Sequence, residues 1–463
     1  MIRRGIFLAL CMMNHAAMAD AAIGGPLRAK VDTSVRETLE RTGVPSASIA
    51  IVRDRSVIYA QAYGRAQIDP SRPATNAMRY AVGSISKEFT AAALLLLRDA
   101  GRLSIDDAAG KHLSGLGPAA AASIRALLSH TAGVRDYWPQ DYVFADMLTP
   151  VTAQQIVARW ADEPLDFSPG EAWQYSNTGY VVAGMIAERE AGMPLFKFLR
   201  ERIFGPLRMT SAYDVDAAPL PQADASGYTR YALGPPRPAV RAARGWLFAA
   251  GELAMTPTDL ARWDLALIEG RLPMSAASRR DLTSEVQLNN GAGTQYALGL
   301  GVRLESGRRL LAHGGEVSGF TAANRIYPDD GIAIVVMVNE DGTGVSDTMA
   351  GDIANLVFLD SSADERAAED GARQVFAGLQ RGAIDPKWLT PNALAYFSKQ
   401  ALADFQSSLG PLHDPASFTL GQSNRRGGML THIFSVKFPG KDLKVVARQM
   451  PDGRFEQFTV SAE

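Results

Sequence analysis

Three short segments of this chain hold the groups that nucleophilic acyl transfer needs: Ser84-Ile85-Ser86-Lys87, Tyr175-Ser176-Asn177 and His313-Gly314-Gly315. A serine hydroxyl is a poor nucleophile near neutral pH. It requires a partner to take its proton and donors to hold the oxyanion that forms on attack. Ser84 and Lys87 stand three residues apart, so on a helix they share one face and the amine reaches the hydroxyl. Tyr175 is the other candidate for the proton. A free tyrosine titrates near pH ~10, and bringing its pKa to about 7 takes roughly 4 kcal/mol of stabilisation, much of it from a neighbouring cation. Desolvation would equally make Lys87 the neutral base, and the sequence leaves both assignments open.

These residues must be positioned by ordinary elements. Residues 86–100 read as a buried helix, through Phe89, Ala91, Ala92, Ala93 and the run of leucines at 94–97, with Gly101 as the stop. Ser84 therefore stands at a helix start, where backbone N–H groups lack intrahelical acceptors and negative charge is favoured. Its own N–H is a candidate oxyanion donor. Tyr175 and Asn177 follow a Pro169-Gly170 turn and precede a helical run over residues 181–190. His313-Gly314-Gly315 interrupts a hairpin pair, residues 309–312 before it and 320–327 after it, and glycines in a strand let a substrate lie close to the backbone.

The wording around each segment carries a resemblance. Gly83-Ser84-Ile85-Ser86-Lys87-Glu88-Phe89-Thr90, Leu127-Leu128-Ser129-His130-Thr131-Ala132-Gly133, Pro169-Gly170-Glu171-Ala172-Trp173-Gln174-Tyr175-Ser176-Asn177 and His313-Gly314-Gly315-Glu316-Val317-Ser318-Gly319-Phe320 resemble, in order, the signatures of a serine hydrolase superfamily. Its members are penicillin-binding proteins, class C β-lactamases, D-amino-acid-specific peptidases and esterases. The likeness runs over about residues 30–358. It implies Ser84 as the acylated nucleophile, Lys87 as its proton partner, Tyr175 as base or relay, and Asn177 as a substrate-positioning amide. It also implies that His313, Gly314 and Gly315 form a substrate-binding strand edge, that the backbone N–H of Glu316 is the second oxyanion donor, and that neither cofactor nor metal takes part. Which group is the base is disputed for related serine–lysine sites, and it stays open here. His130 is expected to fix the loop near Ser84 rather than to act as a base.

One departure is informative. Where the β-lactamases of this superfamily carry Lys-Thr-Gly, this chain has His313-Gly314-Gly315, as the esterase and peptidase branches do. An unperturbed histidine is mostly neutral above pH ~6.5, so a permanent cation is lost and a substrate carboxylate has a weaker anchor.

Composition points to export. Arg3 and Arg4, an apolar run over residues 5–13 and Ala17-Met18-Ala19 read as a secretory signal peptide over residues 1–19, which places the mature protein in the periplasm or outside the cell. The only cysteine, Cys11, falls inside it, so no disulfide or cysteine metal site is expected. No other stretch approaches the ~20 apolar residues of a membrane span, so no stable membrane anchor is expected. A net charge of −2 argues against a nucleic-acid partner and leaves a small ester, amide or peptide as the partner to expect. Oligomeric state leaves no mark in the sequence.

The expected fold is α+β. A hairpin over residues 46–53 and 56–65, turning at Asp54-Arg55, pairs with strands near 297–304 and 309–339, and a helix follows at 345–359. This antiparallel sheet flanked by helices, with an all-helical insertion between its halves, has the β-lactamase/transpeptidase-like form that the resemblance implies, over residues 20–360. Within the insertion Thr256-Pro257-Thr258-Asp259 starts a helix, with Thr256 as cap and Asp259 reaching back. The proline-rich residues 217–245, with Arg230, Arg237, Arg241 and Arg244, are expected to border the cleft and select substrate through an arginine. Small and charged residues break the pattern at 360–371. A small α+β domain over 372–463 follows, faintly resembling the nuclear-transport-factor-like fold, with helices at 375–380 and 392–409 and strands at 417–420, 429–438, 443–449 and 455–460.

The function expected is an exported serine hydrolase forming an acyl-enzyme on Ser84, either an esterase or a D-amino-acid-type peptidase. The alternatives are a β-lactamase or D-Ala-D-Ala carboxypeptidase, and a non-catalytic penicillin-binding or ligand-sensing protein.

Overall fold

The computed structural model describes residues 23–462 apart from Asp141, Ser362 and Gly427. The expected signal peptide, with Cys11, lies outside the described residues. At the centre is a seven-stranded antiparallel sheet in the order Arg72–Pro73, Ser56–Gln67, Ser46–Arg53, Ile332–Val338, Phe320–Tyr327, Arg308–Val317, Gly301–Glu305. Strands from the beginning and end of residues 46–338 thus meet in the middle of one sheet, Ile49 opposite Val336. The leading hairpin turns through Asp54 and Arg55, both at positive φ (52° and 60°), the backbone twist that a two-residue turn needs to match its strands.

The central strands are apolar on both faces because both faces are covered. Ala50, Val52, Val335 and Met337 belong to the same core as the buried residues of the helix Ser86–Asp99. Their alternates Ile49, Ile51, Ile334 and Val336 pack under the helices Gly25–Thr42 and Val345–Ser361. Helix Ser86–Asp99 is buried at every residue over 86–97, which explains its lack of a polar face.

The strand expected at residues 297–304 begins only at Gly301. Before it the chain bends at Gly299 (φ +83°), where a Cβ would lie 2.7 Å from the Lys87 carbonyl, so the segment is pressed against the helix Ser86–Asp99 and cannot extend. The region between the sheet halves is not all-helical as expected: long loops join its helices, and it carries short strand pairs, among them Tyr80–Ala81 and Tyr213–Asp214 on either side of Leu253–Met255. Thr256 caps the helix Pro257–Ile268 as expected, but Asp259 does not reach back. Its carboxylate accepts from Ser211 N and Oγ, and Thr256 N donates to Ser211 Oγ instead.

The small and charged residues from Ala363 on are helical rather than irregular. A helix covers Ala363–Arg381, since Ala368, Ala372, Val375, Phe376 and Leu379 give that charged stretch a buried stripe. The expected helix at 392–409 is two, Pro391–Tyr396 and Lys399–Leu409, the second restarted by a Ser398 cap. Four antiparallel strands, Ser417–Arg426, Met429–Phe438, Lys441–Gln449 and Phe455–Ala462, complete a third core around Phe376, Phe418, Phe434 and Phe458. Among the described residues no helix is long and apolar enough to cross a membrane.

Candidate active site

Ser84 occupies a single 3-10 turn, Gly83–Ile85, and the α-helix proper begins at Ser86. Ser86 ties the turn down: its Oγ donates to the Gly83 carbonyl (2.7 Å) and accepts from Leu253 N (3.0 Å). The turn lies directly against the His313 strand. A Cβ on Gly83, which sits at φ +50°, would be 2.6 Å from Glu316 N, and one on Gly315 would be 1.8 Å from the Val82 carbonyl. Both glycines therefore serve the close approach of two backbones. Gly314 differs, because its Cβ would meet nothing nearer than 3.9 Å.

Lys87 is fully buried beneath Ser84, and its amine has three partners: Ser84 Oγ at 3.0 Å, Asn177 Oδ1 at 2.7 Å and the Ala250 carbonyl at 2.9 Å. Burial pushes the amine down to about 7, against the pull of the Asp136 carboxylate. A neutral amine has two N–H bonds and one lone pair. The two carbonyl oxygens can only accept, so they take both N–H bonds, and the lone pair is left for the Ser84 hydroxyl proton. The ammonium form fits the same cage by donating to all three.

Tyr175 closes the other side. Its ring lies 4.9 Å from Lys87 Nζ, and its hydroxyl is near enough to Ser84 to feel it. Burial holds the phenol well above its usual range, with the neighbouring Ser84 working the other way. The resting site therefore holds a neutral phenol, not a phenolate.

Asn177 is committed inside the protein at both ends of its amide. Oδ1 accepts from Lys87, and Nδ2 donates to Asp136 Oδ2 (3.2 Å). Asp136 also accepts from the backbone N–H of Asn177 (3.0 Å) and of Trp138 (3.2 Å). Burial raises its carboxyl, while these N–H groups and Lys87 oppose the rise. Asp136 was not among the sequence-predicted residues, though it lies three positions beyond the Leu127 to Gly133 motif. His130, in that motif, is at φ +61° and stacks on Tyr175 with centroids 4.2 Å apart. Its Nδ1 accepts from Ser176 N (3.1 Å), so it props the Tyr175 segment.

His313 is held at both nitrogens, Nδ1 against the Gly314 carbonyl (2.5 Å) and Nε2 against the Tyr296 hydroxyl (2.8 Å). Burial and the nearby Lys87 push the imidazole down to about 4. Nothing in the local sequence marks Tyr296, which arrives from the bend before the edge strand.

Ser84, Tyr175, Asn177, His313, Gly314, Gly315 and Glu316 line one cleft of about 1070 Å³. Among the described residues no lysine or arginine lines it, whereas Asp136, Glu316, Asp341 and Asp347 do. The 217–245 segment borders it through Thr229, Tyr231 and Val240, and none of its four named arginines is part of the wall. Arg230 instead pairs with Glu340 (2.8 Å), and Arg241 donates to the Val215 carbonyl (2.7 Å). With Tyr142 (69% exposed) and Tyr231 (71%) at the rim, that side of the cleft is apolar.

The chain is similar in sequence and fold to known proteins. The chain is 28% identical over 332 residues to penicillin-binding protein 4* of Bacillus subtilis (strain 168), covering 66% of this chain and 70% of that one. It is 29% identical over 352 residues to a D-aminopeptidase of Brucella anthropi, covering 74% of this chain and 66% of that one. A D-stereospecific amidohydrolase from Streptomyces sp. superposes with a TM-score of 0.61 at 28% identity, over 70% of this chain and 97% of the other. The sequence model of the Beta-lactamase family matches residues 31–357, the stretch that supplies the sheet, the nucleophile helix and every cleft residue described above, and the chain accordingly belongs to that family of serine hydrolases.

Proposed function

We propose that this protein is an exported serine hydrolase that forms an acyl-enzyme on Ser84 and acts on amides or short peptides of D-amino acids. The observation that carries the reading is the Lys87 cage, in which two carbonyl oxygens leave one lone pair facing Ser84 Oγ. In this mechanism neutral Lys87 takes the hydroxyl proton as Oγ attacks the substrate carbonyl. The oxyanion is held by the N–H groups of Ser84 and Glu316 at the junction that Gly83 and Gly315 make possible. Collapse expels the amine, which receives its proton from Lys87 through the neutral Tyr175 hydroxyl. Water then enters by the reverse of this proton path and releases the acid.

The charge of the cleft supports an amine-bearing substrate over a carboxylate-bearing one, because the described wall holds no lysine or arginine and, besides Asp347 paired with Arg325 (2.8 Å), the carboxylates of Asp136, Glu316 and Asp341. The kinship with a D-aminopeptidase and a D-stereospecific amidohydrolase supports the same choice. Acyl transfer of this kind does not by itself separate amides from esters, so short esters belong among the substrates. The residues 1–19 signal pattern supports export.

The test is mass spectrometry after reaction with a fluorophosphonate probe, alongside turnover of D-alanine p-nitroanilide, p-nitrophenyl acetate, nitrocefin and a D-alanyl-D-alanine peptide. An adduct on Ser84, lost in Ser84→Ala, with D-alanine p-nitroanilide turned over, is expected. Preferred turnover of nitrocefin or of the D-alanyl-D-alanine peptide would move the protein to the β-lactamase or carboxypeptidase reading. Stoichiometric labelling with no turnover of any substrate would make it a sensor.

A further inference from the structure

We propose that Tyr296 is a positioning residue that fixes His313 as a neutral imidazole with both nitrogens satisfied inside the protein, and that this lock is what denies a substrate carboxylate an anchor at the strand edge. The inference deepens the hydrolase reading and rests on it for its consequence, but the lock itself stands on geometry alone. The Gly314 carbonyl, 2.5 Å from Nδ1, can only accept, so Nδ1 carries the proton. In a neutral ring Nε2 is then a lone pair, and the Tyr296 hydroxyl at 2.8 Å must donate to it. The opposite tautomer would set two lone pairs, Nδ1 and the Gly314 oxygen, against each other at hydrogen-bonding distance.

Tyr296 is itself held. It is 6% exposed, its backbone N–H donates to Thr294 Oγ1 (3.2 Å), and its carbonyl accepts from Val286 N (2.8 Å). Its ring lies 4.8 Å from that of His130 and 6.0 Å from that of Trp173. The titratable groups around His313 are Lys87 from the nucleophile helix, Tyr175 and His130 from the two loops, and Tyr296, with Tyr180 and Glu88 behind them. Lys87, when protonated, disfavours a second positive charge on the imidazole. His313 thus lines the cleft without offering it an N–H.

Two measurements test this. In Ser84→Ala with ¹⁵N-labelled histidine, NMR should show His313 protonated on Nδ1, with Nε2 as a hydrogen-bonded acceptor, unchanged between about pH 5.5 and 8. In Tyr296→Phe the Nε2 lone pair loses its donor, so the imidazole should protonate at higher pH than in wild type, while burial and Lys87 still hold it below the ordinary histidine value of about 6.5. Kinetically, the ratio of kcat/KM for a D-alanyl dipeptide to that for its C-terminal amide should be flat with pH in the wild-type enzyme. In Tyr296→Phe it should rise about tenfold toward pH ~5.5, the worth of one charge-assisted hydrogen bond. An Nε2-protonated His313 in the Ser84→Ala protein would overturn the proposal, as would a Tyr296→Phe ratio that stays flat. If no substrate is turned over at all, the hydrolase reading fails, and the NMR experiment still decides the lock.

Discussion

The Asp136 carboxylate should set the pH at which the enzyme switches on. Its charge reaches Lys87 through the Asn177 amide, which is bonded to Lys87 at 2.7 Å on one side and to Asp136 at 3.2 Å on the other. That path limits the separation of the charges to about 8 Å, where an effective dielectric of about 20 gives an attraction of about 2 kcal/mol, or about 1.5 pKa units. The sign follows from the base. A carboxylate favours the ammonium, so removing it lowers the Lys87 pKa, and the neutral amine is present at lower pH. If Lys87, pushed down to about 7, is the base, the wild-type acylation rate should rise as pH increases through that value. In Asp136→Asn the acid limb of kcat/KM should fall to about 5.5, with a lower plateau because the base is weaker. The assay is stopped-flow acylation by a p-nitrophenyl ester between about pH 4.5 and 9, with thermal melting as the check on folding. A limb that stays at its wild-type position in a folded variant, or that moves upward, would refute Lys87 as the titrating base.

Gly315→Ala should abolish acylation, at least 100-fold and comparable to the loss of an oxyanion donor, because its Cβ would sit 1.8 Å from the Val82 carbonyl and force the strand off the Ser84 turn. Gly314→Ala, with 3.9 Å to the nearest atom, should keep activity within about fivefold of wild type, and the two variants compared in one ester assay check the junction. Glu88 is buried against Trp263 and Asn324, and burial pushes its carboxyl up to about 7 from 4.5. Its stabilising share is therefore complete below about pH 4.5 and lost as pH rises through about 7, on the order of 3 kcal/mol in all. Glu88→Gln should flatten the fall of Tm between those pH values, which calorimetry across that window would show; an unchanged slope would mean that the group is not the one titrating.

Much of the frame was legible without coordinates. The hairpin over 46–53, the buried helix after Ser84 and the return of strands near 309–339 follow from local rules of periodicity and turn chemistry, which act between residues close in sequence. Errors arose where a distant contact overrode the local pattern. Gly299 bends because Lys87's carbonyl lies against it, and residues 363–374 are helical because a stripe of alanines and Val375 finds a core to cover. Arginines on the 217–245 segment suggested a charged selector, yet partners elsewhere in the fold, Glu340 and the Val215 carbonyl, hold Arg230 and Arg241 away.

By itself the sequence determined which side chains are capable of the chemistry: a serine with a lysine three residues on, a tyrosine before an asparagine, and paired glycines in a strand. Tertiary structure alone decided their states. Whether Lys87 is an amine or an ammonium depends on Asp136, Asn177 and Ala250, and whether His313 offers a proton depends on Tyr296. The reason is physical: residue type and spacing are properties of the chain, whereas desolvation and hydrogen-bond saturation belong to a place in space, and that place is assembled from segments that lie far apart in the sequence.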